Sequence, residues 1–183
     1  MAAEGPLILA SRSPQRRAIL EQLGIDFRVE APEVEEATGG GARAVVVENA
    51  LRKARAIDGP RVLGVDTAVV LDGRVLGKPA DEREAETFLR RLSGRTHEVW
   101  SGVCLRQGGH ERSDAAVTRV RFRLLEPPEL AWYLASGEWR ERAGGYAIQG
   151  RGAALVDEIQ GDYSNVVGLP VSCLVRLAPE LLR

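Results

Sequence analysis

The stretch "RVLGVDTAVVLDGRVLG", residues 61–77, limits the fold more than any other part of the chain. Two runs of aliphatic and β-branched residues flank Asp72-Gly73, a dipeptide whose tolerance of left-handed backbone closes a two-residue hairpin. Elsewhere the chain alternates strand-like and helix-like segments. A hairpin within that alternation excludes an all-parallel sheet and predicts an α/β fold built on a mixed sheet. The same stretch holds one residue that folding alone disfavours. Asp66 sits inside the apolar run, where a carboxylate is costly unless it is ion-paired, metal-bound or at the strand's mouth. A structural ion pair and a functional carboxylate are the two readings of it.

The other elements follow from period and punctuation. Residues 7–10 form an apolar strand. Ser13 fits a helix N-cap and Pro14 the first helical position, with Gly24 closing the helix. "FRVEAP" (27–32) reads as a strand and "EVEEATGGG" as an acidic, Gly-rich loop. Helices are expected over about 43–57 and 81–94, and from the prolines at 127 to Gly137. A strand, a Gly-Gly turn and a returning strand fill 97–114. The alternation in "AVTRVRFRLL" puts Val120, Phe122 and Leu124 on one face and Arg119, Arg121 and Arg123 on the other. Residues 142–170 read as mostly strand and loop, and a closing helix is expected over about 170–182.

The 183 residues suffice for one domain spanning 1–183. The formal net charge of −1 argues against a nucleic-acid-coating surface, so any anion site must come from local clustering. The Arg119/Arg121/Arg123 face has no interleaved aromatics and reads as solvated. Cys104 and Cys173 lie far apart among apolar residues with no metal or redox spacing, as expected of buried thiols in a reducing cytoplasm. No apolar run approaches the ~20 residues that span a bilayer, and "PLILA" is too short for a signal-peptide core.

Several polar residues stand out. Arg16 and Arg17 in a first helical turn oppose the helix dipole. An anion there reverses the sign, because N–H groups, the Ser11 and Ser13 hydroxyls and guanidinium forks suit one phosphate. A solvated arginine pair is the alternative. Glu36, in the acidic loop, would make a two-carboxylate magnesium site with Asp66. Lys78 closes the hairpin that carries Asp66. Lys53 in "ENALRKARA" reads as a surface residue on its own, and Gln149 in "AGGYAIQGRG" is an amide able to read a base edge. His97 and His110 form no cluster, and no histidine relates to a serine as a catalytic base would.

In this order, the segments "LILASRSPQRRAILEQLGIDF", "EVEE", "ENALRKARA", "VLGVDTAVVLDGRVLGKP", "LSGRTHEVWSGV", "AGGYAIQGRGA" and "GDYSNVVGLP" resemble the Maf family of nucleoside triphosphate pyrophosphatases. The resemblance implies an inosine-triphosphate-pyrophosphatase-like fold, a long curved mixed sheet with flanking helices and a cleft between two lobes. It implies cleavage of a nucleoside triphosphate between the α and β phosphates with a divalent cation, Mg²⁺ or Mn²⁺. The family's motifs fall on Ser11, Arg16 and Arg17 at the phosphate turn, and on Glu36, Lys53, Asp66 and Lys78. They imply substrate binding by Ser11, Ser13, Arg16, Arg17, Lys53 and Lys78, metal binding by Glu36 and Asp66, and catalysis by Asp66. Gln15, Thr67 and Gln149 fall where the family sets its base preference. Thr67 and Gln149 look like the dTTP/UTP branch, whereas Gln15 departs from the arginine usual there. The same chemistry on modified purine or CTP-type triphosphates is one alternative, and a non-catalytic nucleotide-binding regulator of cell division another. The resemblance further implies a cytoplasmic house-cleaning enzyme that pairs as a homodimer, with no membrane partner.

Overall fold

The computed structural model describes residues 5–182. Its strands are β1 (Leu7–Ala10), β2 (Phe27–Val29), β3 (Arg61–Leu71), β4 (Arg74–Leu76), β5 (Thr96–Gln107), β6 (His110–Phe122) and β7 (Val156–Gln160). Its helices are α1 (Pro14–Gln22), α2 (Ala42–Arg55), α3 (Glu82–Leu92), α4 (Pro127–Leu134), α5 (Tyr163–Val167) and α6 (Val171–Leu177). The strands form one seven-stranded sheet in the order β2-β1-β3-β5-β6-β7, with β4 paired to β3 off that path. β1 runs parallel to β2 and β3, whereas β3–β4 and β6–β7 are antiparallel, so the sheet is mixed as the hairpin required. Leu71 faces Arg74 across the predicted turn, and Asp72 and Gly73 both take positive φ, 51° and 73°.

The chain divides into two compact units. One holds the residues up to Thr67, Ser101–Ala116 and the residues from Gly168 on; the other holds Ala68–Trp100 and Val117–Val167. In the first unit the strands bury both faces, as parallel strands covered by helices do. Leu7, Leu9, Leu63 and Val65 pack with Leu20 of α1 and Leu174 of α6. The alternate residues Ile8, Ala10 and Val62 pack with Ala50 and Ala54 of α2. That second face is unusually close. A Cβ on Gly64 of β3 would lie 2.0 Å from the Ala50 carbonyl oxygen, and one on Gly102 of β5 would lie 2.2 Å from that of Val46. Only glycine at both positions lets α2 seat on the sheet.

In the second unit, Ala85, Leu89 and Leu92 of α3 and Leu130, Tyr133 and Leu134 of α4 pack with Val69, Leu71, Val99, Val120 and Phe122. α3 is capped by Asp81, whose Oδ1 accepts the Glu84 N–H at 2.8 Å.

Three expectations need correction. Leu124 is 72% exposed instead of sharing the face of Val120 and Phe122. β6 ends at Phe122 after a register irregularity, and the Arg123 N–H turns to the Leu155 carbonyl, so Leu125 takes the buried place. Residues 142–170 contain β7 but also 3-10 turns at Ala143–Gly145 and Arg151–Leu155, and helix α5. The cap of α5 is Asp162, whose Oδ1 accepts the Ser164 N–H at 2.8 Å. The closing helix stops at Leu177 because Pro179 cannot continue it, and a 3-10 turn over Pro179–Leu182 follows.

Candidate functional site

The opening turn after β1 is built as its sequence suggested. Ser13 caps α1, its Oγ accepting the Arg16 N–H at 3.4 Å, with Pro14 at the first position. The Ser13 hydroxyl donates to Gln15 Oε1 at 3.0 Å. Ser11 is buried, and its Oγ accepts the Ser13 N–H at 3.2 Å and Arg16 Nη1 at 2.9 Å.

Arg16 is held by the protein on three sides. Besides Ser11, its Nε donates to the Gly168 carbonyl at 2.9 Å and Nη2 to Thr67 Oγ1 at 3.2 Å. Thr67 Oγ1 also shares a 2.8 Å hydrogen bond with Ser101 Oγ, which is fully buried. A guanidinium has five N–H donors. Three are engaged in these bonds, which fixes the fork before any ligand arrives. Burial lowers the Arg16 pKa, and the fields of Asp66 and Glu36 push it back up. Arg17 is not part of this group. It pairs with Glu21 at 2.8 Å and lines a shallow concavity with Ile25, Asp26, Phe27 and Val29. Arg12 is exposed and reaches Glu33 at 3.4 Å.

The second group stands where α2 crosses β3. Strand periodicity puts Val62, Gly64 and Asp66 on the face that α2 covers. The α2 stripe that meets it is Val46, Asn49, Ala50, Lys53 and Ala54, the i, i+3, i+4, i+7 pattern of a buried face. Asp66 is 8% exposed. Its Oδ1 accepts from Lys53 Nζ at 2.6 Å and its Oδ2 from Asn49 Nδ2 at 3.1 Å. Lys53 Nζ also meets Glu36 Oε1 at 2.7 Å, so two carboxylates converge on one ammonium. The ion pair offered as the structural alternative for Asp66 is therefore present, and it is made by the very lysine that the family pattern assigns to the site. Asn49 is not among the residues that stand out in the sequence alone. Its signal was an amide in the apolar stripe of α2, one turn before Lys53.

Lys78 and Gln149 belong to the second unit. Lys78 is exposed and pairs with Glu141 at 3.1 Å; Glu141 has a positive φ of 58°. Gln149 is exposed, in a segment tied down from several directions. The Gly144 N–H donates to the Gly77 carbonyl and the Ala147 N–H to the Tyr133 hydroxyl, each at 3.0 Å. Tyr146 shares a 2.7 Å hydrogen bond with His97 Nε2. His97 is 2% exposed, and burial lowers its pKa to about 4, so it stands neutral. Burial also raises the Cys104 thiol to about 11, which leaves it protonated and unreactive.

Comparison with known proteins places the chain in a family. The Maf-like protein family model matches residues 6–181. The chain is 52% identical over 180 residues to the dTTP/UTP pyrophosphatase of Symbiobacterium thermophilum, covering 95% of this chain and 93% of that one. It is 49% identical over 168 residues to the dTTP/UTP pyrophosphatase of Thermus thermophilus, covering 91% and 90%. Among solved structures, the Staphylococcus aureus Ham1 protein superposes over 64% of this chain and 72% of its own, at 15% identity and a TM-score of 0.46. With the family model spanning nearly its whole length, the chain belongs to the Maf family.

Proposed function

We propose that this chain hydrolyses nucleoside triphosphates between the α and β phosphates, releasing a nucleoside monophosphate and pyrophosphate, with dTTP and UTP as its substrates. The observation that carries the reading is Asp66, a nearly buried carboxylate held by Lys53 and Asn49, with Glu36 on the same lysine. A surface that only bound a polyanion would gain nothing from two carboxylates beside its cations. The base preference rests on relatives that carry the dTTP/UTP name at about half identity over nearly the whole chain.

The roles divide by position. Asp66 accepts a proton from the attacking water, and Lys53 and Asn49 hold its oxygens in place for that transfer. Arg16, already oriented by Ser11, Thr67 and Gly168, offers its remaining donors to phosphate oxygens. The start of α1, capped by Ser13, adds the positive end of a helix dipole at the same turn. Lys53, which holds both carboxylates, is the second cation of this group beside Arg16. For Lys78 and Gln149, which belong to the second unit, the family resemblance implies a phosphate and a base role.

The donor set fits a divalent cation. Glu36 and Asp66 lie within 2.7 Å of a single ammonium nitrogen, so both are already placed to share one positive charge. Their charges cancel those of Lys53 and Arg16, which leaves no net positive charge for a triphosphate. Among the described residues no cluster of three or more His, Cys, Asp or Glu could hold an ion by itself. That is the pattern of Mg²⁺ or Mn²⁺ held by one or two carboxylates and completed by substrate phosphates. When bound, the ion supplies charge neutralisation on the phosphate oxygens and the departing pyrophosphate. Among the described residues no helix is long and apolar enough to cross a membrane; we propose a cytoplasmic enzyme, acting as a homodimer.

The test is a panel of canonical and modified nucleoside triphosphates, assayed for pyrophosphate with Mg²⁺ or Mn²⁺. Release of pyrophosphate and monophosphate from dTTP and UTP is expected. Orthophosphate as the product would overturn the cleavage site, and binding without turnover would favour a regulator.

A further inference from the structure

We infer that Asn49 is a positioning residue that fixes the spacing between the two carboxylate-bearing elements of the site; this rests on the pyrophosphatase reading above. One buried amide, 2% exposed, holds both elements at once. Its Oδ1 accepts the Ala37 N–H at 2.6 Å, and its Nδ2 donates to the Ala37 carbonyl at 3.3 Å. The same Nδ2 donates to Asp66 Oδ2 at 3.1 Å. Ala37 directly follows Glu36, so clamping its backbone on both sides sets where the Glu36 carboxylate starts from.

Residues 30–40 form no helix or strand, and this loop must find backbone partners outside itself. Asn49 supplies them at Ala37, and Arg52 adds a 2.9 Å hydrogen bond to the Glu35 carbonyl. Asn49 is itself rigidly placed, because the adjacent Ala50 lies where Gly64 lets α2 touch the sheet. The chemistry demands an asparagine. An acceptor for Ala37 N–H and two donors, one for Ala37 C=O and one for Asp66, must come from one short planar group. Ionised aspartate offers no donor, glutamine is a methylene longer, and alanine offers nothing.

Two variants separate the two contacts. Asn49→Ala removes all three bonds, whereas Asn49→Asp keeps an acceptor for Ala37 N–H, loses the donors to the Ala37 carbonyl and to Asp66, and sets a second carboxylate against Asp66. The readouts are kcat and KM for dTTP, Kd for the non-hydrolysable α,β-imido-dTTP, thermal unfolding, and hydrogen exchange at the Ala37 amide. For both variants kcat per binding-competent site is expected to fall roughly 10–100-fold, the usual effect of losing a residue that orients a catalytic ligand. The Ala37 amide is expected to exchange freely in Asn49→Ala and to stay protected in Asn49→Asp. A kcat per competent site within about two-fold of wild type in Asn49→Asp would overturn the inference, as would unchanged Ala37 protection in Asn49→Ala. If wild type itself released no pyrophosphate, the pyrophosphatase reading would fall. The exchange measurement, which needs no turnover, would still decide whether Asn49 holds the loop.

Discussion

The two units differ in whether a charge is among the polar groups they bury. The first buries a charge and pairs it: Asp66 meets Lys53, which also reaches the exposed Glu36, and Arg16 is held by Ser11, Thr67 and a carbonyl. The second buries neutral groups. His97 carries no charge, and burial pushes the Tyr133 and Tyr146 phenols well above their ordinary value, so both stay protonated. Replacing a buried ion pair by apolar side chains often costs a protein nothing, so retaining charges in the first unit calls for a use other than stability. The neutral groups of the second unit do what buried hydrogen bonds ordinarily do: they pin a loop. Tyr133 holds Ala147, His97 holds Tyr146, and the rings of His97, Phe122 and Tyr146 meet edge to face within 5.5 Å. Charge is kept where chemistry needs it, and neutral polarity where only shape is needed.

The sharpest way to break that contrast is Asp66→Asn. The amide preserves volume and polarity but cannot accept a proton from water. Turnover of dTTP is expected to fall by about 10²–10⁴-fold, the usual worth of a positioned general base. Stability should hardly change, because Lys53 keeps Glu36 as its partner. Turnover near wild type would reduce the buried charges of the first unit to structural ornament, whereas a large loss of stability with intact turnover per folded molecule would make Asp66 a folding residue.

Much of this was legible in the sequence, and the reasons are local. Asp72-Gly73 fixes its own hairpin, Ser13-Pro14 its own cap, and the alternation of Leu7 to Ala10 its own double-sided strand, because each signal acts within a few residues. Asp66 was legible as an anomaly, since an apolar strand has no ordinary use for a carboxylate. Its partner was not. Lys53 read alone as a surface lysine, because the stripe that buries it is defined by the closeness of α2 to Gly64 and Gly102, a long-range fact. Asn49 escaped for the same reason: its three bonds go to residues 12 and 17 positions away. Arg17 looked equivalent to Arg16 by composition, but adjacent helical residues point about 100° apart, and it meets Glu21 instead. The turns over 143–155 lie in a segment that the sequence describes only as mostly strand and loop, because glycine marks a break without saying which way the chain bends.

The second unit offers a subtler test through pH. His97 has a folded-state pKa of about 4 against an ordinary 6.5. The unfolded chain therefore binds the proton more readily across that interval, so stability should be full above pH 6.5 and decline as pH falls towards 4. The loss attributable to this one group is about 3 kcal/mol. His97→Gln keeps a neutral partner for the Tyr146 hydroxyl and removes the titration. Urea unfolding of both proteins at a series of pH values should give a stability difference that shifts in the variant's favour on acidification through this window. A difference that stays constant with pH would mean that His97 charges freely within the fold, and the neutrality of this buried group would fail.

The smallest expected effect concerns Gln15, where a single added charge would supply the arginine that the family resemblance implies for the dTTP/UTP branch. Gln15 now serves the cap: its Oε1 accepts the Ser13 hydroxyl. Gln15→Arg removes that acceptor and sets a third consecutive guanidinium in a first helical turn beside Arg16 and Arg17. Without an anion the helix dipole opposes it, by about 0.5 kcal/mol. With a nucleotide bound the sign reverses, so kcat/KM should rise for the preferred pyrimidine triphosphates, by no more than about 5-fold, a single exposed charge being worth at most about 1 kcal/mol. The rise should shrink in high salt, because the new charge is only partly buried. A uniform gain over every triphosphate would assign position 15 to phosphate and leave base choice to Thr67 and Gln149, whereas a gain confined to dTTP and UTP would make it a reader of the base.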